Sequence, residues 1–372
     1  MTVCSFLGQR HLLDADLYPR MVNTIETLLK QHDDMDFWFH DQNAFTDIGL
    51  RAVLAVRSRY PQKHITITYV ASAPFNKKKI PFPDCLIDRV VVAPHDLSDK
   101  WDSLHRWVIQ QSDYLIRYVY PVLREHVHTL SAFAEKQPVV VCDVTNPDTT
   151  VFIRESVDKL KENERNVIQK REEGYSKKEI MSQLGLTRWK MEEAFRTGLQ
   201  RLYWIAEQRE SRARPCLPTT CGIFSLGKGD LYTAMHFQRM LGWMDSRWGL
   251  RRFFLDASCA TAAEISHLVY TVKTYYKYHV TVVTHAPQAM AQTEKERIAA
   301  QMIPPFHDVL NIATCAQTIR AQTLRTIKEI MRRCDICLCN LSNAVFADSI
   351  KRFAPQAHTI LIDIGHPPVY HH

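Results

Sequence analysis

The chain has 372 residues, of which 46% are hydrophobic and 23% charged; this is ordinary globular composition, with apolar material for more than one core. Its 47 Lys and Arg against 40 Asp and Glu give a formal charge of +7, which permits an anionic partner without demanding one. The ten cysteines are scattered without a framework spacing, no charged-then-apolar leader precedes them, and no apolar run is long enough to span a bilayer. These features exclude a disulfide scaffold and a membrane partner, and they imply a cytoplasmic protein with reduced, buried thiols.

Residues 1–150 read as strands alternating with helices. "TVCSFLGQR" from Thr2 is a short strand entering a glycine-bearing turn, and Leu17-Tyr18 begins a helical pattern. "MDFWFHDQNAFTDIGLRAVLAVRSRYPQKHITITYV" from Met35 supplies strand, helix and strand. "DRVVVA" from Asp88 and "SDYLIRYV" from Ser112 add two more strands. "FAEKQPVVVCDVTNP" from Phe133 closes the series, with Asp143 at the carboxyl end of its apolar run. Such runs are buried strands of a parallel sheet, and the carboxyl ends of such strands are where open α/β sheets place ligands.

Residues 155–214 are rich in Glu, Lys and Arg and carry helix punctuation. Ser176 and Glu179 have capping-box spacing, with Tyr175 and Ile180 as the hydrophobic staple. Gly185 predicts a tight turn, and Thr187 caps a following helix whose inward face is Met191, Ala194, Phe195, Leu199 and Leu202. Helix, glycine turn, helix is the helix-turn-helix pattern. It would place Arg188, Trp189, Lys190, Glu192, Glu193 and Arg196 on a groove-facing surface. A helical hairpin that spaces two lobes or joins two chains fits the same pattern.

Residues 215–372 repeat the first series. "TCGIFSLGKGD" from Thr220 matches the opening strand and turn, and "LRRFFLDASCATAAEISHLVYTVKTYYKYHVTVVTH" from Leu250 matches the second stretch. In that pairing Thr261 falls on Thr46, Tyr275 on Tyr60 and His279 on His64. "DVLNIA" from Asp308, "CDICLCNL" from Cys334 and "FAPQAHTILIDIGHP" from Phe353 complete the copy, which sets Asp363 on Asp143. The expected fold is therefore α/β: two tandem Rossmann-like parallel-sheet lobes, 1–150 and 215–372, flanking a small all-α segment at 155–214. Fused duplicates pack as an imitation of a twofold homodimer, and homo-oligomerisation remains open. Cys334, Cys337 and Cys339 invite a metal reading, but a structural zinc needs four ligands and no fourth is evident, so buried free thiols are the better account. His366, His371 and His372 read as a polar tail, and no metal or cofactor is expected.

The Gly8-Gln9-Arg10 turn, Tyr60-Pro61 after the second helix, and Arg106, Trp107, Ser112 and Asp113 resemble the SLOG superfamily, which includes the LOG phosphoribohydrolases and the DprA/Smf proteins. The YpsA-like branch is the most similar. With "ENERNVIQKREEG" ahead of it, the middle segment resembles region 4 of sigma factors and related response-regulator DNA-binding domains. The first resemblance implies binding of a nucleotide or nucleotide derivative, with Gly8, Arg10, Asn43, Thr46, Arg106, Gly227 and Thr261 as candidate contacts. It also implies, as an alternative, a nucleotide N-glycosidase or phosphoribohydrolase with Glu264 as the catalytic carboxylate. The LOG loop Gly-Gly-x-Gly-Thr-x-x-Glu is altered in both copies: Gly49 stands at the glutamate position of the first, and the second keeps Thr261 and Glu264 but replaces each glycine by a small residue. The second resemblance implies duplex DNA as a partner, through Arg188, Trp189, Lys190 and Arg196. The reading as a whole is a bacterial regulator that senses a nucleotide-like ligand; a scaffold without ligand is the third option.

Overall fold

The computed structural model describes residues 1–9, 12–14, 16–73, 80–94, 97, 101–120, 127–210, 220–224, 231–250, 252–256, 279–284, 308–311, 319–341, 346–365 and 369–371. The first stretch of chain forms β1 (Thr2–Gly8), α1 (Leu17–Gln31), β2 (Asp34–Phe39), α2 (Ala44–Arg59), β3 (His64–Ala71), β4 (Arg89–Val92), α3 (Trp101–Gln110), β5 (Tyr114–Tyr118), α4 (Val127–Ala134) and β6 (Val140–Asp143). Four helices follow: α5 (Pro147–Val157), α6 (Glu162–Glu172), α7 (Lys177–Leu184) and α8 (Arg188–Glu210). The remainder forms β7 (Thr220–Ile223), α9 (Leu231–Trp248), β8 (Arg252–Asp256), β9 (His279–Thr284), β10 (Asp308–Asn311), α10 (Ile319–Arg333), β11 (Ile336–Cys339), α11 (Ala347–Ala357), β12 (Ile360–Asp363) and β13 (Val369–His371).

The strands make two parallel sheets, Rossmann-like in general. One has the order β13-β4-β3-β2-β1-β5-β6, the other β10-β9-β8-β7-β11-β12. Apart from β13, the second order is the first with each strand replaced by its sequence-matched partner. The local bonding recurs as well. Asp113 Oδ2 accepts from the Val3 amide at 2.8 Å, and Asp335 Oδ2 accepts from the Thr220 amide at 3.2 Å. Asp143 Oδ1 accepts from the amide two residues on, Thr145, at 2.9 Å; Asp363 Oδ1 does the same with Gly365 at 3.0 Å. Both strand-end aspartates thus fix the turn that leaves the sheet, an Asx-type role that explains the residue type without a ligand.

Contacts divide the chain into two compact units, residues 1–52 with 93–216 and residues 53–92 with 217–372. In the first, β1 is flanked by β2 and β5 and buried from Cys4 to Gly8, as expected for a central strand of a covered sheet. Leu17, Met21, Val22, Ile25, Leu28 and Leu29 form the buried stripe of α1, a 3.6-residue period facing the sheet. Gly49 of α2 lies on the Phe6 ring, where an added Cβ would come within 3.0 Å. No larger side chain fits there, so the glutamate of the LOG loop has no room at this position.

In the same unit, Val167 of α6, Ile180 of α7 and Met191 of α8 form a small core, with Tyr175, Leu184, Ala194 and Phe195 packed around it. Ser176 Oγ accepts from the Glu179 amide at 3.3 Å, and Glu179 Oε2 accepts from the Ser176 amide at 2.7 Å. Gly185 ends α7 with φ 62°, a left-handed conformation that costs glycine little.

In the second unit, Phe224, Phe254, Ile327, Ile330, Met331 and Phe353 belong to one core that also takes in Cys334, Cys337 and Cys339. All three thiols are buried, and burial raises the pKa of Cys337 and Cys339. Residues 53–92 join this unit through specific bonds. The Leu361 amide donates to Ser58 Oγ at 2.8 Å, and Arg239 Nη2 donates to the Ile80 carbonyl at 3.0 Å. β13 pairs with β4, with Val369 against Arg89 and His371 against Val91. Among the described residues no helix is long and apolar enough to cross a membrane.

Candidate functional site

The turn after β1 and the N-terminus of α2 meet, as the phosphate-binding reading requires, but their binding groups are already engaged. Phe45 lies against Gly8, so closely that an added Cβ would fall inside the ring's contact distance. That ring is fully buried, with its centroid 5.5 Å from the Tyr118 ring in a stacked arrangement. Asn43 Oδ1 accepts from the Phe45 and Thr46 amides at 2.8 and 3.0 Å, while Thr46 Oγ1 accepts from the Asn43 amide at 2.8 Å. The first turn of α2 is therefore self-capped, and the dipole that would attract a phosphate is spent on Asn43. Gln9 fills the neighbouring switch point between β1 and β5: its Oε1 accepts from the Tyr120 amide at 3.1 Å. Arg106 stands apart from these groups, with its guanidinium 4.7 Å from the Phe133 ring centroid. Arg10, Gly227, Thr261 and Glu264 lie outside the described residues.

Two histidines occupy the end of β2. His40 and His105 are both buried, and their ring centroids are 4.2 Å apart. His105 Nε2 lies 3.7 Å from Asp41 Oδ2. Burial, and then the neighbouring His105, pull the pKa of His40 down to about 3. His40 is accordingly a neutral imidazole. Its two ring nitrogens have no hydrogen-bond partner among the described residues.

An open crevice of about 470 Å³ lies instead at the carboxyl ends of β5 and β6, between α4 and α5. Arg117 of β5 forms its floor. Its Nε and Nη2 donate to Asp143 Oδ2 at 3.0 and 2.7 Å, and its Nη1 donates to Glu135 Oε1 at 2.7 Å and to Ser131 Oγ at 3.0 Å. These carboxylates raise the Arg117 pKa against the opposing effect of burial. The Tyr120 carbonyl accepts from His128 Nε2 at 2.9 Å, which holds that imidazole in the wall. Val119, Ala132 and Pro147 supply an apolar side. Sequence reasoning singled out Asp143 but passed over Arg117, Glu135 and His128. The only signal was register, because Arg117 pairs with Asp143 across adjacent strands.

The helical segment presents a different surface. Arg188, Trp189, Lys190 and Arg196 are all exposed, Trp189 by 68%. Thr187 Oγ1 accepts from the Lys190 amide at 3.4 Å at the start of α8. Glu192 is held by Lys177 at 3.2 Å and Arg188 at 3.3 Å, and these cations lower its pKa. The carboxylate that would have faced phosphates is thereby neutralised by neighbours on α7 and α8.

No protein-family model matches the chain, and no curated protein matches it. Among solved structures it is similar to a glycosyl transferase family 9 protein from Veillonella parvula DSM 2008, at 14% identity over 88% of this chain and 86% of that one, with a TM-score of 0.18. An OtsA apo structure aligns at 11% identity over 95% of this chain and 62% of that one, also with a TM-score of 0.18. Likeness at that level identifies no activity for this chain.

Proposed function

We propose that the protein is a cytoplasmic, ligand-responsive regulator: two tandem SLOG-like lobes, related by duplication, control a helix-turn-helix that contacts duplex DNA. The duplication reading is supported by the matched strand orders and by the paired roles of Asp113 with Asp335 and Asp143 with Asp363. The observation that carries the DNA reading is the start of α8, where Arg188, Trp189 and Lys190 project from a helix whose inner face is fixed by its own small core. Recognition helices use their N-terminal residues in the same way. The enzyme reading has less support, because the first lobe has no room for a carboxylate at Gly49.

Binding of the full chain to a mixed-sequence duplex, followed by fluorescence anisotropy across a salt series, tests this function. Affinity should fall steeply as salt rises. Replacing Arg188 and Arg196 together by Ala should flatten the log–log slope by about 0.9 for each phosphate that is no longer neutralised. Absence of duplex binding even at low salt would leave the segment as a spacer or a dimerisation hairpin.

A further inference from the structure

We infer that the crevice between α4 and α5 is the ligand site of this regulator, and that it takes a nucleoside through its ribose hydroxyls and rejects the phosphorylated form. The link to regulation rests on the function proposed above; the site itself does not. A cavity of about 470 Å³ is ample for a nucleoside. Its charged floor decides the chemistry. Arg117 is bound on one side by Asp143 and on the other by Glu135 and Ser131, so its donors are spent within the protein. One cation against two carboxylates leaves the floor with a net charge of −1, which repels a phosphate. What remains on offer is acceptor capacity. Glu135 is exposed by 61% and Asp143 by 37%, and an ionised carboxylate can only accept. Paired sugar hydroxyls are neutral donors of suitable spacing for two carboxylates. A cationic ligand fits less well, because the Arg117 guanidinium sits between the two acids. The apolar side formed by Val119, Ala132 and Pro147 suits the flat face of a base.

The second sheet has no counterpart of this floor. The residue in register with Asp363 is Cys339, where the first sheet pairs Arg117 with Asp143. The crevice also adjoins the output segment. Pro147 and Thr150 line it from α5, and α5 packs on α8 and is tied to α6 by Arg154 and Glu172 at 3.2 Å. A ligand resting on Thr150 therefore bears on the helix that supports α8. Only a difference in affinity between two arrangements of α5 would shift their populations.

Calorimetry on the full chain with adenosine, ribose and adenosine monophosphate tests the site. Adenosine should bind, ribose should bind more weakly, and the monophosphate should bind roughly tenfold or more weakly than adenosine. Ala132 is exposed on α4, so Ala132→Trp should fill the crevice and abolish adenosine binding without disturbing the fold, as circular dichroism would confirm. Absence of adenosine binding, monophosphate binding of equal strength, or binding that survives Ala132→Trp would each overturn the inference. The coupling is read separately, as slower hydrogen exchange in α5 and a changed duplex affinity when adenosine is present. A bound nucleoside with no change in exchange would overturn the regulatory link and leave the site standing. Loss of duplex binding alone would sink the proposed function and leave the crevice untouched.

Discussion

Gly8 and His40 show how single residues set the chemistry of the sheet's carboxyl edge. Gly8 is needed because Phe45 packs against its α-carbon, not because a phosphate approaches there. Gly8→Ala should destabilise the first unit by about 1–3 kcal/mol, the usual cost of overpacking. Urea unfolding would measure it, and Phe45→Leu in the same chain should recover part of the loss. His40 predicts acid sensitivity. Its pKa is about 3 when folded against 6.5 when unfolded. Between those values the unfolded chain holds the extra proton, so stability falls as pH drops below about 6.5, with a limiting slope of about 1.4 kcal/mol per pH unit. Asp41 adds to the same trend at lower pH, because His105 and His40 hold its pKa below the ordinary value. His40→Phe should make the urea midpoint less sensitive to acid between pH 7 and pH 5, by about 2 kcal/mol in free energy. An unchanged pH profile would show that His40 titrates normally.

At the scale of elements, the helical segment is defined by its ends. Ser176 and Glu179 close the N-terminus of α7, and Gly185 closes its C-terminus in the left-handed conformation. Ser176→Ala should cost about 1 kcal/mol locally. Faster amide exchange confined to α7 and the start of α8 would register the loss, and uniform exchange across α6 to α8 would argue against a discrete helix. The exposed ion pairs of Glu192 contribute little to that stability. Their consequence is electrostatic: they cancel a negative charge on the surface proposed to meet phosphates.

At the scale of the whole chain, β13 is the element without a duplicate. Residues 369–371 pair with β4, and the Val369 amide donates to the Asp88 carbonyl at 2.8 Å. Removing residues 366–372 should bare the β4 edge, because an unpaired strand offers its amides to other chains. Faster hydrogen exchange in β4 and a greater tendency to aggregate on warming are the expected readings. Unaltered exchange in β4 would mean that β13 adds nothing to the second unit.

The alternation of apolar runs with helical patterns was enough to read an α/β fold with parallel sheets, because strand burial and helix amphipathicity are local periodicities. The capping box at Ser176, the turn at Gly185 and the buried thiols of Cys337 and Cys339 were legible for the same reason. Each depends on residues a few positions apart, or on a single strand's apolar character. The state of the expected binding edge was not legible. Whether Gly8 faces a ligand or the Phe45 ring depends on how α2 settles on β1, and whether Thr46 meets a phosphate or Asn43 depends on a side-chain rotamer. Nor could the sequence disclose the crevice. Arg117, His128, Glu135 and Asp143 converge only when β5, α4 and β6 pack together. Local pattern specifies which elements form, and three-dimensional packing decides which polar groups are spent on the protein and which are left for a ligand.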